Sequence, residues 1–324
     1  MSSIRRRQLL ASALLTPLAM PALADTWPSA PIKILCGSAP GGPTDVAARL
    51  AARWMTERLG KPVIVENRVG ANGLLAIQTL MQSKPDGYTL AAIPRGALTV
   101  APAVEKTPRY NPLTDFTPIA LIGEFPYVLV TRKGFPADDV AGLIAYAKKN
   151  PGKVTYGSAG VGSSNHLAGE WFAKSAGVSL THIPYKGDTP GLTDLIAGLI
   201  DVYFMTPSVA MPNAQAGKIK PLGVAAAAPT PLAAGVNKVV SSTVPGFEMS
   251  SWIGLLGPTG MPADVVGRIN RVINEEARSP ANKQSMLTIG QDPVTVTPAE
   301  FRGRIEQDLK RFSALAREAH IELE

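Results

Sequence analysis

Two open α/β domains set on either side of a central cleft are the fold class this sequence predicts, and three observations predict it. A strand, a glycine-rich turn and a helix start follow one another in Ile32-Lys33-Ile34-Leu35-Cys36-Gly37-Ser38-Ala39-Pro40-Gly41-Gly42-Pro43-Thr44-Asp45. The same succession returns in Val154-Thr155-Tyr156-Gly157-Ser158-Ala159-Gly160-Val161-Gly162-Ser163-Ser164-Asn165-His166. Around both, strands and helices alternate in short order, the pattern of parallel, doubly wound sheets. Such sheets bind ligands outside the carboxyl ends of their strands, which is where the two turns lie.

In the first unit, Gly41 and Gly42 let the backbone approach a ligand closely, and Pro43 has no N–H to lose at a helix start. Val46, Leu50 and Trp54 recur at i, i+4 and i+8 with Ala47 and Ala51 beside them, while Arg49, Arg53 and Glu57 share the other face. The free N–H groups and positive dipole end of this helix point at the turn, an anion site in outline. A second strand over 62–67, a turn at 70–73, a helix over 74–83 and a strand over 88–93 follow, with Lys84-Pro85-Asp86-Gly87 as the turn between the last two. Residues 95–118, rich in Pro and Thr and without period, read as a connection.

The second unit opens on a strand over 127–131 and a helix over 137–149. After the strand beginning at Val154, Ser163 or Ser164 caps a helix over 165–176. Strands over 180–183, 202–205 and 222–225 alternate with helices over 192–198 and 208–216. Residues 226–245 read as a return connection, and a strand over 252–256 with two or three helices closes the chain. In the last of these, Thr297-Pro298-Ala299-Glu300 supplies an N-cap, a proline at the first helical position and a capping-box glutamate, ahead of an apolar stripe of Phe301, Ile305, Leu309, Phe312 and Ala316.

Residues 1–24 read as a cleaved export signal: Arg5-Arg6-Arg7, an apolar run from Leu9 to Met20, and Ala22-Leu23-Ala24 at the cleavage site. The paired arginines fit the Tat route as well as Sec. The remainder, from Asp25, suits about two domains at roughly 100–200 residues each. Domain 1 is expected over 25–128 plus 246–324 and domain 2 over 129–245. The chain has 32 basic and 25 acidic residues, a net +7. Three of the basic ones lie in the signal and the rest are dispersed, which argues against nucleic-acid binding. The single cysteine, Cys36, forms no internal disulfide and reads as a buried, inert thiol.

With these pieces the chain resembles the substrate-binding proteins of tripartite tricarboxylate transporters, the Bug receptors. The resemblance rests on the export signal, Trp27-Pro28-Ser29-Ala30-Pro31-Ile32, Pro40-Gly41-Gly42-Pro43-Thr44-Asp45, Glu66-Asn67-Arg68, Lys84-Pro85-Asp86-Gly87-Tyr88-Thr89-Leu90, Tyr156 to Ser163, His166-Leu167, Ile183-Pro184-Tyr185-Lys186-Gly187 and Trp252-Ile253-Gly254-Leu255-Leu256-Gly257-Pro258. It implies a periplasmic Venus flytrap of type II-like architecture. A ligand carboxylate would be held by backbone groups of the two turns, Pro40 to Asp45 and Gly157 to Ser164, with the domains closing by hinge motion. Its implied partners are the membrane permease of such a transporter, or a sensor kinase, with the receptor itself a monomer. The chain departs from the family in Ala226-Ala227-Ala228-Pro229-Thr230-Pro231-Leu232-Ala233, in Arg68-Val69-Gly70-Ala71-Asn72-Gly73, and at Arg95, where small or hydroxylated residues are usual.

The ligand-binding set expected on these grounds is Pro40, Gly41, Gly42, Pro43, Thr44, Asp45, Arg95, Gly157, Ser158, Ala159, Gly160, Ser163, Ser164, His166, Thr206 and Trp252. Arg95, if it lines the cleft, would pair with a second acid group on the ligand, and otherwise is a surface arginine on a loop. Asp188, after Tyr185-Lys186-Gly187, reads as a helix N-cap or as a cleft residue facing an ammonium group. Phe204 and Trp252 read either as cleft lining or as core. No cofactor and no metal are expected: the first turn has Pro43 where a nucleotide-binding loop has lysine, Gly160-Val161-Gly162 is an incomplete dinucleotide fingerprint, and no His, Cys, Asp and Glu cluster has ligand spacing. The function expected is therefore a non-enzymatic receptor for a mono- or dicarboxylic acid. The alternative is an exported serine hydrolase using Ser158 or Ser163, although no Gly-x-Ser-x-Gly elbow exists.

Overall fold

The structure, a computed structural model, describes residues 27–70 and 73–319. The expected export signal, Ala71 and Asn72 of the turn at 70–73, and the last five residues lie outside the described residues. The chain builds two five-stranded sheets. The first contains β1 (Ile32–Cys36), β2 (Val63–Asn67), β3 (Thr89–Pro94), β4 (Phe116–Pro126) and β10 (Ser250–Pro258), in the order β2-β1-β3-β10-β4. The second contains β5 (Val128–Arg132), β6 (Val154–Ser158), β7 (Leu180–Pro184), β8 (Val202–Met205) and β9 (Ile219–Val224), in the order β7-β6-β8-β5-β9.

The sheets are mixed rather than parallel throughout, which corrects the sequence expectation at one strand in each. β10 runs antiparallel to β3 and β4, and β5 runs antiparallel to β8 and β9. The reason is topological. β1 and β6 end at the glycine turns, whereas β5 and β10 have just crossed from the other sheet and so enter at that same edge, running away from it. Where the chain crosses, three segments knit together: Tyr127 N–H donates to the Met249 carbonyl at 3.1 Å, Ala225 N–H to the Tyr127 carbonyl at 2.8 Å, and Met249 N–H to the Ala225 carbonyl at 2.9 Å.

Helices cover the sheets: α1 (Pro43–Leu59) and α2 (Leu74–Met81) on the first; α4 (Val140–Lys149), α5 (Ser164–Ala176), α6 (Asp188–Ala197) and α7 (Pro207–Gln215) on the second; α8 (Ala263–Arg278), α9 (Pro280–Thr288) and α10 (Pro298–Ala319) back on the first. The buried face of α1 is rotated from the one expected. Ala47, Ala48, Ala51, Ala52, Trp54 and Met55 are buried while Val46 and Leu50 are only half-buried, so the alanines bring the helix axis close to the sheet. Sequence patterning misses two elements in the 95–118 connection and beyond it: a helical stretch through Gly96–Val100 and α3 (Ala101–Val104), and β4 itself. β4 carries Pro118 and Gly123, residues that weaken a strand signal, and its pairing with β10 shifts register beside both. The return connection holds only two short 3₁₀ turns, at Pro231–Ala233 and Val240–Ser242.

Candidate functional site

The first turn is shaped by glycine and tied by a carboxylate. Gly41 sits at φ +78°, in the left-handed region, and Gly42 is the N-cap residue of α1 with extended backbone. A Cβ on Gly37 would lie 2.6 Å from the Gly73 backbone, so only glycine lets the two loops meet. Asp45 accepts from the Gly41 N–H at 3.0 Å, from Asn67 Nδ2 at 2.7 Å and from both Nε and Nη2 of Arg49 at 2.9 Å. Burial alone would raise this carboxyl, but the hydrogen bonds from Arg49, Asn67 and Gly41 outweigh it and hold it below its ordinary value. Asn67 also donates to the Ser38 carbonyl at 2.9 Å, so the strand end of β2 braces the turn. Nothing in the sequence of the Glu66-Asn67-Arg68 motif by itself points to that role.

The second turn is tied in the same way by Asn165 and Ser163. Ser163 caps α5, its hydroxyl accepting from the His166 N–H at 3.3 Å and donating to the Gly160 carbonyl at 2.5 Å. Asn165 Oδ1 accepts from the Ala159 N–H at 3.0 Å, and Gly162 N–H donates to His166 Nδ1 at 3.3 Å. The N–H groups of Gly41, Gly42, Ala159, Gly160, Gly162 and Ser163 are thus spent within the loops. The donors left over belong to the first helical turns, Thr44 on α1 and Ser164 and Asn165 on α5, which have no partner inside their helices.

Between the turns lies a cavity of about 600 Å³. Of the expected residues, Gly42, Pro43, Thr44, Ala159, Gly160, Ser163, Ser164 and Thr206 line it. Aromatic walls come from Phe125, Tyr127 and Tyr185, and Ser251 joins Thr206 among the polar groups. The charged lining residues among those described are Lys186, which is exposed, and Asp188, which is buried.

Other expected residues stand elsewhere. Pro40 and Gly41 are exposed and do not line the cavity, and Asp45 is buried beneath the turn it ties. Gly157 is packed where a Cβ would strike the Tyr203 ring at 2.5 Å. Arg95 neither lines the cleft nor lies on the surface, correcting both readings of it. Pro94 and Gly96 line the cavity, but the Arg95 side chain turns away, is 4% exposed, and is bound by Asp308 of α10 through both carboxylate oxygens. Its Nη1 donates to the Ser250 carbonyl at 2.8 Å and its guanidinium sits 4.5 Å from the Phe312 ring centroid. Trp252 belongs to this buried network, donating to Asp308 Oδ2 at 2.9 Å, and packs edge-on against Phe301. Phe204 is core, between Phe172 and Phe247.

Ser158 and His166 are likewise buried and absent from the lining. Ser158 Oγ lies 2.6 Å from His182 Nε2, a pairing hidden in the sequence, where His166 is the histidine that stands near the serines. The pair resembles a nucleophile and its base, but a serine with no exposed surface meets no substrate. Asp188 is not the N-cap of α6: Gly187 holds that position, and the carboxylate reaches across to Asn165, Tyr203 and Thr206. Burial pushes the Cys36 thiol up to about 11, in keeping with an inert group. Among the described residues no group of His, Cys, Asp or Glu is placed to hold a metal ion.

Comparison with known proteins converges on one family. Residues 47–321 match the family described as tripartite tricarboxylate transporter family receptor. The chain is 32% identical over 307 residues to Protein BugT of Bordetella pertussis, covering 94% of both chains. Among solved structures, an R. palustris protein with adipate is similar at a TM-score of 0.88 and 31% identity, over 91% of this chain and 99% of that one. MatC from Rhodopseudomonas palustris with bound malate gives 0.83 and 28%, over 89% and 99%. The family match spans most of the chain and the solved relatives share its fold nearly end to end, and the chain belongs to the tripartite tricarboxylate transporter receptor family of periplasmic solute-binding proteins.

Proposed function

We propose that the cleft binds a small organic acid, its carboxylate held by the first-turn N–H groups of α1 and α5 from opposite sides. The observation that carries this reading is the approach of two helix N-termini, on Thr44 and on Ser164 with Asn165, to one cavity. Each supplies unpaired donors and the positive end of a helix dipole, which together suit an anion without any arginine. The adipate and malate of the two R. palustris structures are acids of this kind. The glycines serve as shape: they keep side chains off the approach while Asp45 and Asn165 hold the loops rigid.

The two units would close on the ligand by rotation about the segments joined at Tyr127, Ala225 and Met249. Export through residues 1–24, presentation of the loaded receptor to a tripartite permease, and action as a monomer without catalysis complete the reading.

Calorimetric titration of the purified protein with a panel of mono- and dicarboxylic acids tests it, with Gly42→Val as the control. At φ −74° valine is sterically allowed, but its Cβ would lie 3.2 Å from the Ala39 carbonyl and its methyls would enter the cavity. At least one acid should titrate, and the variant should lose about tenfold or more in affinity, roughly 1.4 kcal/mol. A panel without a single binder overturns the reading; parent-like binding by the variant removes the first turn from the site.

A further inference from the structure

The cleft wall holds a carboxylate that has no basic partner among the described residues. Asp188 lines the cavity yet is 7% exposed. Its Oδ1 accepts from Asn165 Nδ2 at 2.9 Å and from the Tyr203 hydroxyl at 3.3 Å, and its Oδ2 accepts from Thr206 Oγ1 at 3.0 Å. These donors are all neutral. No lysine or arginine pairs with it among the described residues: Lys186, which lines the same cavity, is exposed and makes no ion pair with it, and Arg95 is committed to Asp308.

Such a group makes the site selective. A second anion brought beside a buried carboxylate meets like-charge repulsion in a low dielectric, whereas a cation gains from the same field. Phe125, Tyr127 and Tyr185 line the same cavity, and aromatic faces attract ammonium groups. Asn165 sets the spacing. It sits in the first turn of α5, where backbone N–H groups await a carboxylate, and its side chain reaches Asp188 directly. The anion and cation positions are therefore neighbours, about one residue's side chain apart.

We propose that the ligand is an α-amino acid, its carboxylate at the α5 N-terminus and its ammonium group on Asp188. This rests on the carboxylate-receptor reading and narrows it, since neither adipate nor malate carries an ammonium group. Burial pushes the Asp188 carboxyl above its ordinary value despite the hydrogen bonds from Thr206, Tyr203 and Asn165. An arriving ammonium group supplies the missing countercharge, and affinity follows.

The test compares acids that differ only in the α-amino group, by calorimetry at pH 7.5: propionate with alanine, succinate with aspartate, glutarate with glutamate, adipate with 2-aminoadipate. In every pair that binds, the amino member should be about tenfold tighter or more. Asp188→Asn, which keeps the side-chain shape, should bring paired affinities within about threefold, mainly by weakening the amino member. The wild-type pairs decide the matter even if that variant does not fold. Equal or tighter binding of the acids without the amino group overturns this inference and leaves the carboxylate reading standing. Absence of binding by every member of the panel overturns both.

Discussion

His166 and His182 stack at 4.1 Å between ring centroids, and the arrangement depends on neither being charged. Burial, joined by the neighbouring His182, holds His166 down at about 3, and burial holds His182 at about 4. A neutral His166 offers Nδ1 as the acceptor for the Gly162 N–H, so its protonation would release the second turn. Both folded values lie below the ordinary 6.5, so between them the unfolded chain binds more protons than the folded one. The stability these rings contribute is complete above about pH 6.5 and is lost as pH falls toward 4. Asp188 runs the other way, because its raised carboxyl favours the folded state more as pH falls. The histidine contribution must therefore be read as a difference. His182→Gln should flatten the fall in Tm between pH 6.5 and 4.5 relative to the parent, and parallel profiles would show that His182 titrates as a solvated group does.

At the level of elements, α10 is the piece that fastens the returning chain to the first sheet. Its carboxylate, Asp308, meets Arg95 at the end of β3 and Trp252 in β10, while its stripe of Phe301, Ile305, Phe312 and Ala316 is buried. Removing one partner of a buried pair leaves the other charge uncompensated, which costs about 3–5 kcal/mol. Asp308→Ala should lower the unfolding free energy by that much in a urea titration; a cost under about 1 kcal/mol would mean that water reaches Arg95. At the N-terminus of the helix, Thr297 Oγ1 accepts from the Glu300 N–H at 3.1 Å while Glu300 Oε2 accepts from the Thr297 N–H at 2.7 Å. Thr297→Ala should cost about 1 kcal/mol in the same assay, and no measurable change would discount the cap. The two interactions also show what sequence carries. The capping box is legible because its partners stand three residues apart and follow a local rule. Arg95 and Asp308 are 213 residues apart, so Arg95 reads as a loop residue or a ligand contact until β3 and α10 are placed. β4 is hidden by Pro118 and Gly123, whose place in the sheet depends on the register of a partner strand from the far end of the chain.

For the molecule as a whole, both turns and a cleft between them are legible as sequence, and much of the cleft's wall is not. Each turn is a contiguous strand, loop and helix start, whereas Phe125, Tyr127 and Ser251, none of them expected, reach the cavity from distant parts of the chain. What brings the two halves together is visible at Gly96. A Cβ there would stand 2.7 Å from the Ser164 nitrogen and 3.1 Å from the Ser163 Cα, backbone atoms of the opposite unit. Backbone cannot yield as a long side chain does, so even one methyl group must push the walls apart. On the proposed function the same Ser164 would supply a donor to the anion site, and that approach would then be part of the bound conformation rather than a remote packing contact. Gly96→Ala should therefore weaken the best-binding acid of the panel by about tenfold, roughly 1.4 kcal/mol. Its ligand-saturated radius of gyration, measured by small-angle X-ray scattering, should stay at the value of the unliganded parent. The change lies outside the strands of either sheet, at the first residue of the helical stretch Gly96–Val100, so Tm without ligand should move by no more than a few degrees. Parent-like affinity together with a parent-like contraction on ligand addition would show that these two backbones need not touch for the cleft to close.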